Sequence, residues 1–147
     1  MSTGKVSLKD PYATIGYALK LAQQALRTHL DTGLREVGLT TPQYAVLCFL
    51  KEKAGASNAM LARRAFVTPQ TMQAILVALE RAGFISRAAD PDHGRVQKTE
   101  LTARGLDVLE VASGIVANAE TRLCDASAPL DPQVVAAMLL RLAAAFR

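Results

Sequence analysis

Five of the six prolines in this chain directly follow a residue whose side chain can cap a helix, and four of these pairs precede apolar residues at helical spacing. The four pairs are Asp10-Pro11, Thr41-Pro42, Thr68-Pro69 and Asp131-Pro132. Asp and Thr side chains accept hydrogen bonds from the free N–H groups at a helix start. Proline suits the first helical position because it has no N–H to leave unpaired. Each pair therefore predicts a helix start, and together they predict a chain built mainly from helices.

The spacing of the apolar residues is also typical of helices, except in one stretch. Behind the first start signal they recur every three or four positions up to Gly38, as on one face of a helix. Phe84–Arg87 and Val96–Leu101 are shorter and more typical of strands. They flank Ala89–Arg95, which is dense in turn-forming residues. The pattern predicts a β-hairpin with a projecting tip.

The net charge of +4 lies in the middle of the 147-residue chain. Residues 51–104 carry nine Lys and Arg against five Asp and Glu, and the remainder carries eight of each. A local basic excess is compatible with binding to nucleic acid. The longest uncharged stretches, residues 37–50 and 65–79, are too short to cross a bilayer, and the N-terminus lacks the apolar run of a secretory signal. We expect a cytoplasmic protein that does not interact with membranes.

The predicted order is helix, helix, short helix, turn, helix, hairpin, helix, helix. It indicates a mainly α fold with a small β-hairpin wing, in which residues 39–101 form a winged helix-turn-helix that binds DNA. The outer helices are too long and too apolar to be fully exposed to water. We therefore expect residues 1–38 and 102–147 to form a helical dimerisation layer, intertwined with the central region as one domain.

Several segments resemble the MarR family of transcriptional regulators. They are Leu39–Leu47, Leu61–Arg64, Val67–Met72 with Leu79–Ile85, and Asp90–Arg95 with Leu101–Gly105. In that order they are similar to the start of the family's second helix, the first helix of its helix-turn-helix, its recognition helix, and its wing with the start of the fifth helix. The turn before the recognition helix departs from the family, since Ala65-Phe66-Val67 stands where a short Gly-containing segment is common.

The resemblance implies a homodimeric, sequence-specific regulator, most often a repressor, that binds a pseudo-palindromic operator in double-stranded DNA. A small-molecule ligand would release the DNA by favouring a dimer whose recognition helices are wrongly spaced. A winged-helix adaptor that binds proteins and no DNA is the alternative. We assign no catalytic residue, cofactor or metal ligand, because the chain contains none of the common catalytic motifs and only two cysteines.

The candidate DNA contacts follow from the roles of a recognition helix and a wing. The first turns of a recognition helix meet base edges, a wing arginine can enter the minor groove, and other cations meet phosphates. The expected contacts are Thr68, Pro69, Gln70, Thr71 and Gln73 in the recognition helix, Arg63, Arg64 and Lys98 at phosphates, and Arg95 at the wing tip. Thr68 and Pro69 have a second interpretation, as the cap and first residue of the helix.

A pocket for a small aromatic or phenolic ligand is predicted between the dimerisation layer and the winged helix-turn-helix. Its expected lining residues are Tyr12, Tyr17, His29, Tyr44 and Phe49. The alternative trigger is oxidation of a cysteine. Cys48 lies on an apolar helix face, and Cys124 lies two residues from Arg122.

Overall fold

A computed structural model of the chain describes residues 9–92, 94 and 97–147, and in these ranges it contains six helices and one two-stranded sheet. The elements are α1 (Ile15–Arg35), α2 (Thr41–Glu52), α3 (Asn58–Ala65), α4 (Pro69–Arg81), β1 (Ile85–Ala89), β2 (Gln97–Leu101), α5 (Ala103–Ala126) and α6 (Pro132–Ala144). This mainly α architecture with a small hairpin confirms the predicted fold class and element order.

Two of the predicted helix starts are confirmed residue by residue. The side chain of Thr68 caps α4, and the side chain of Asp131 caps α6. At α2 the cap lies one residue earlier than predicted, at Thr40. The Thr40 hydroxyl accepts from the Gln43 N–H at 3.3 Å, and Gln43 Oε1 accepts from the Thr40 N–H at 3.0 Å. This reciprocal capping box satisfies two free donors at once and therefore takes precedence over Thr41.

The helix start predicted at Asp10-Pro11 is wrong. The helix begins at Ile15, where the Thr14 hydroxyl accepts a hydrogen bond from the Tyr17 N–H at 3.1 Å. Asp10 Oδ1 accepts instead from the Tyr12 N–H at 2.9 Å. An Asp side chain that bonds to the backbone two residues on forms a turn of its own, and this turn precedes the helix.

The hydrophobic core lies among α2, α3, α4, β1 and α5. Its fully buried large side chains include Leu47, Leu50, Leu61, Met72, Leu76, Leu79 and Leu109. By contrast, α1 contributes one buried residue, Leu34, and α6, all of which is described, contributes none. The core therefore fixes α4 and the hairpin, while α1 and α6 keep large apolar side chains exposed.

The hairpin is joined to α4 and α5 at a tight junction. Gly83 has a φ of +78°, a conformation that suits glycine, and the Phe84 N–H bonds to the Leu79 carbonyl at 3.0 Å. The Thr102 N–H donates to the Phe84 carbonyl oxygen at 3.1 Å. A Cβ on Gly105 would lie 2.0 Å from that same oxygen, so only glycine allows α5 to begin there. The junction sets the hairpin in a defined position beside α4.

The two strands pair antiparallel, with Ile85 opposite Leu101 and Ala89 opposite Gln97. The segment between α2 and α3 also reaches the hairpin, because the Gly55 N–H donates to the Thr99 carbonyl at 3.1 Å. Of the turn predicted over Ala89–Arg95, Ala89 belongs to β1 instead, and the described residues 90–92 and 94 lie outside both strands. Three residues near its tip, at positions 93, 95 and 96, lie outside the described residues.

Candidate nucleic-acid interface

Helix α4 presents one buried face and one polar, exposed face. Met72, Leu76 and Leu79 are buried in the core and hold the helix in place. On the opposite side, Gln70 and Thr71 in the first turn are exposed to solvent. Gln73, Thr68 and Pro69 are also exposed. The structure thus brings the five predicted recognition-helix residues to the surface at the same end of α4.

The start of α4 is organised by its cap. The Thr68 hydroxyl accepts a hydrogen bond from the Thr71 N–H at 3.1 Å, and it lies 3.1 Å from the Thr71 hydroxyl oxygen, to which it can donate. Pro69 occupies the first helical position. The N-terminus of a helix carries partial positive charge and suits an anionic partner such as phosphate. Both interpretations of Thr68 and Pro69 are therefore compatible with their placement, since a capping residue can also face a ligand.

A hydrogen-bonded network connects this helix to the hairpin. Gln73 Oε1 accepts from Asn58 Nδ2 at 2.8 Å and from an Arg87 guanidinium nitrogen at 3.4 Å. Arg87 Nε in turn donates to Gln97 Oε1 at 2.9 Å, and a second Arg87 nitrogen also reaches that oxygen. The network joins the start of α3, the recognition helix and both strands. It holds the wing and the recognition helix in a fixed relation.

Sequence reasoning did not single out Arg87 as a site residue, although a signal was present. Arg87 pairs with Thr99 in the register of the hairpin, and Gln97 lies two residues before Thr99. Alternation along paired strands places residues 85, 87 and 89 on the same face as 97, 99 and 101. An arginine and a glutamine on one face of a short hairpin beside a recognition helix are therefore expected to interact.

The predicted phosphate contacts differ in their surroundings. Arg63 is exposed at the end of α3. Arg64 lies 3.7 Å from Glu52, and its guanidinium carbon lies 4.7 Å from the centre of the Phe49 ring. Lys98 Nζ lies 3.8 Å from the Asp90 carboxylate, on the wing. Arg95, the predicted minor-groove contact, lies outside the described residues.

The five predicted ligand-pocket residues fall in three separate places of a single chain, and one pocket lined by all five stays a prediction. Tyr12 and Tyr17 contact each other edge to face, with ring centres 5.1 Å apart. His29 lines shallow grooves along α1 and α5. Tyr44 and Phe49 share a cleft. Helix α1, which carries Tyr17 and His29, packs along α5 so closely that a Cβ on Gly33 would lie 2.7 Å from Ile115 Cγ2.

The cleft that Tyr44 and Phe49 share lies between α2 and α3 and has a volume of about 280 Å³. Cys48, Leu61, Arg64 and Glu52 also line it, so its wall is largely apolar with one ion pair, between Arg64 and Glu52. Burial raises the pKa of the Tyr44 phenol above its ordinary value, and a hydrogen bond with the Cys48 side chain adds to that effect. The phenol therefore stays protonated near neutral pH and remains a hydrogen-bond donor.

The two cysteines lie on different helices, Cys48 on α2 and Cys124 on α5, and both are half-buried and free. A redox-active cysteine is usually placed beside a cationic group. The contact of Cys124 is instead with the Glu120 carboxylate, at 4.0 Å. Within the described ranges, no three His, Cys, Asp or Glu side chains lie together as a metal-binding group. The described helices include none with both the length and the hydropathy needed to cross a bilayer.

An exposed recognition helix, held by its core face and flanked by a two-stranded wing, defines a winged helix-turn-helix regulator that binds DNA. Residues 37–96 match the model of the MarR family. Rv2887 of Mycobacterium tuberculosis, an HTH-type transcriptional repressor, is 39% identical over 111 residues, which cover 76% of this chain and 80% of that protein. The chain belongs to the MarR family.

Solved structures agree with this assignment. A transcriptional repressor named CouR, bound to a 23-mer DNA duplex, aligns with a TM-score of 0.84 and 28% identity over 98% of this chain and 100% of that chain. The complex of Rv2887 with salicylic acid aligns with a TM-score of 0.71 and 34% identity over 92% of this chain and 99% of that chain.

Proposed function

We propose that this chain is a homodimeric transcriptional repressor that binds a pseudo-palindromic operator and is released by a small aromatic ligand. The observation that carries the proposal is the polar, exposed N-terminal end of α4, which is braced against the wing through Gln73 and Arg87. Two such helices in a two-fold dimer would reach successive major grooves, roughly one helical turn apart. The repressor names of its relatives support the direction of regulation.

Each DNA contact has a chemical role in this proposal. Gln70 and Thr71 meet base edges, while Thr68 and Pro69 direct the helix N-terminus toward a phosphate. Arg63, Arg64 and Lys98 neutralise phosphates, and Arg95 enters the minor groove from the wing tip. Gln73 acts chiefly through its hydrogen bonds to Asn58 and Arg87, since its amide oxygen is already engaged there.

Residues 1–38 and 102–147 supply the dimer interface in this proposal. Large apolar side chains of α1, of α6 and of the residue stretch after α6 are exposed in the single chain: Leu19, Leu21, Val134, Met138, Leu139, Leu140 and Phe146. Large exposed apolar surface is typical of an interface between proteins. A two-fold partner would cover the surface and fix the spacing between the two recognition helices.

The ligand proposed here is a small aromatic or phenolic acid. The cleft between α2 and α3 offers an apolar wall, the Phe49 ring and the Arg64 guanidinium, which would pair with a ligand carboxylate in competition with Glu52. Salicylic acid in the Rv2887 complex is a molecule of this class. We infer that the protein is not an enzyme and that it acts in the cytoplasm, where a bacterial regulator meets DNA.

Binding of the full-length protein to the DNA upstream of its own gene tests the proposed function. Fluorescence anisotropy should show saturable binding whose logarithmic affinity falls linearly with the logarithm of salt concentration. A panel of small aromatic acids should include at least one that lowers the affinity, because a ligand must favour the non-binding dimer to release DNA. Failure to bind at low salt would favour the protein adaptor.

Replacement of Gln73 and Arg87 should show that the two residues act as one unit. We expect Gln73→Ala and Arg87→Ala each to weaken operator binding about tenfold, and the double variant to be no weaker than either, because each single change removes the same interaction. Losses that multiply to about 100-fold would mean that the two side chains contact DNA independently. Arg81→Ala, at the exposed far end of α4, is the matched control and should stay within about twofold.

A further inference from the structure

Phe66 is the residue that ends α3, and its backbone has an unusual conformation. Its φ is 55° and its ψ is 41°, in the left-handed region. Helices commonly end in this conformation, but the residue there is usually glycine, because a side chain crowds the backbone. Among the described residues Phe66 is the only one other than glycine with a positive φ. A bulky aromatic in this position is strained relative to glycine.

The Phe66 side chain gains no compensating burial. It is 88% exposed to solvent, although it is one of only four phenylalanines in the chain. An aromatic ring normally contributes to stability by burial, and here it does not. Strain of this kind, which the fold itself does not require, is typical of functional sites.

The position of Phe66 connects it to the DNA-binding surface. It lies two residues before Thr68, the cap of the recognition helix, and three residues after the exposed Arg63. Its backbone N–H bonds to the Arg63 carbonyl at 3.4 Å, and the next N–H, of Val67, bonds to the Ala62 carbonyl at 3.1 Å. The turn is therefore held by hydrogen bonds, and its exposed ring lies two residues in sequence before Thr68, at the end of α4 that is proposed to enter the major groove.

We propose that Phe66 makes an apolar contact with the operator and contributes to its recognition; this inference rests on the proposed function. The partner is a C–H surface of the DNA, either a thymine methyl group in the major groove or a deoxyribose of the adjoining backbone. Phenylalanine side chains make apolar contacts with thymine methyl groups in the major groove. The ring would add an apolar contact to the phosphate contact proposed for Arg63 and to the polar contacts proposed for α4.

Replacement of Phe66 with glycine should change stability and DNA binding in opposite directions. Phe66→Gly relieves the left-handed strain, so the Tm should rise by about 3 °C. Operator affinity should fall roughly tenfold, and the slope of log affinity against log salt should stay unchanged, because no charge is removed. Phe66→Asn, which also tolerates this conformation, should behave in the same way, and Phe66→Leu should keep most of the affinity.

Two controls identify the contact. Arg63→Ala should lower the salt slope by about one per half-site, as loss of a phosphate contact does. Operator DNA with uracil in place of thymine should bind the wild type more weakly and the Phe66→Gly variant no differently if the partner is a thymine methyl. Equal losses in both proteins would assign the contact to deoxyribose.

The inference is overturned if Phe66→Gly and Phe66→Asn bind the operator as tightly as the wild type does. It is also overturned if their affinity falls together with the Tm, or if light scattering shows that they lose the dimer. In these cases the wild type still binds DNA, and the proposed function stands. A wild type that binds no DNA would overturn both.

Discussion

Replacing Gln70 and Thr71 together with alanine should weaken operator binding by about two to four orders of magnitude. Both side chains are exposed at the first turn of α4, and neither contributes to the core. One good bidentate base contact is worth about 1–3 kcal/mol of discrimination, and a two-fold dimer that loses one such contact in each half-site loses about 2–6 kcal/mol. Each 1.4 kcal/mol corresponds to a factor of ten. Fluorescence anisotropy at one fixed salt concentration measures the change.

Specificity should fall with affinity in this variant. Binding to unrelated DNA should remain within a few-fold of the wild type, because the phosphate contacts proposed for Arg63 and Lys98 are unaltered. Circular dichroism should show an unchanged helix content, since Met72 and Leu76 still anchor α4 in the core. Equal losses on operator and unrelated DNA would contradict a base-reading role. Glu80→Ala, at the exposed other end of the helix, serves as the control.

A charge on the apolar face of α6 should abolish the dimer. Leu140 is 72% exposed in the single chain, so Leu140→Glu is expected to leave the fold of each protomer intact. In a dimer the same carboxylate would be buried without a partner, which is strongly unfavourable. Multi-angle light scattering should then report a monomer. Operator affinity should fall about 10²- to 10⁴-fold, because the two half-sites are no longer bound by one particle.

Leu140→Met is the matched control for that variant. It keeps an apolar side chain of similar size and should preserve both the dimer and the affinity. If Leu140→Glu remains a dimer and binds the operator normally, α6 is not part of the interface, and residues 102–147 have another role. A monomeric Leu140→Glu that keeps full affinity would instead contradict the need for a dimer.

The helices and the hairpin were predictable because their signals are local. Thr68 and Asp131 satisfy the free N–H groups of helices within three residues of themselves, and the sequence carries that information directly. Asp10 shows the limit of local signals. The same Asp-Pro pair forms a turn when Thr14 provides a better cap further on. Whether Asp10 or Thr14 caps α1 depends on how the N-terminal part of the chain packs, which is not a local signal.

The exposed surface of α4 and the wing was only partly predictable, because only some of its features depend on local signals. The polar face of α4 follows from the spacing of Met72, Leu76 and Leu79. The contact between Gln73 and Arg87 joins residues 14 apart, and it depends on the junction that places the hairpin beside α4. The strain at Phe66 is likewise a property of the backbone and not of composition.

The ligand pocket was the least predictable part. Tyr44 and Phe49 share a cleft because both lie on α2 and face α3. His29 lies instead in grooves between α1 and α5, because α1 packs along α5, and Tyr12 lies before α1 against Tyr17. Aromatic residues that are scattered along a sequence give little information on which of them share a pocket.

Selection of bound DNA from a random pool by the full-length protein tests the central claim most directly. The selected sequences should converge on an inverted repeat whose half-site centres are about 10 base pairs apart. The complex should contain two protomers for each duplex, and the Gln70→Ala, Thr71→Ala variant should fail to enrich the same repeat. A pool that stays random after repeated rounds at low salt, or a single asymmetric site bound by one protomer, would contradict the account.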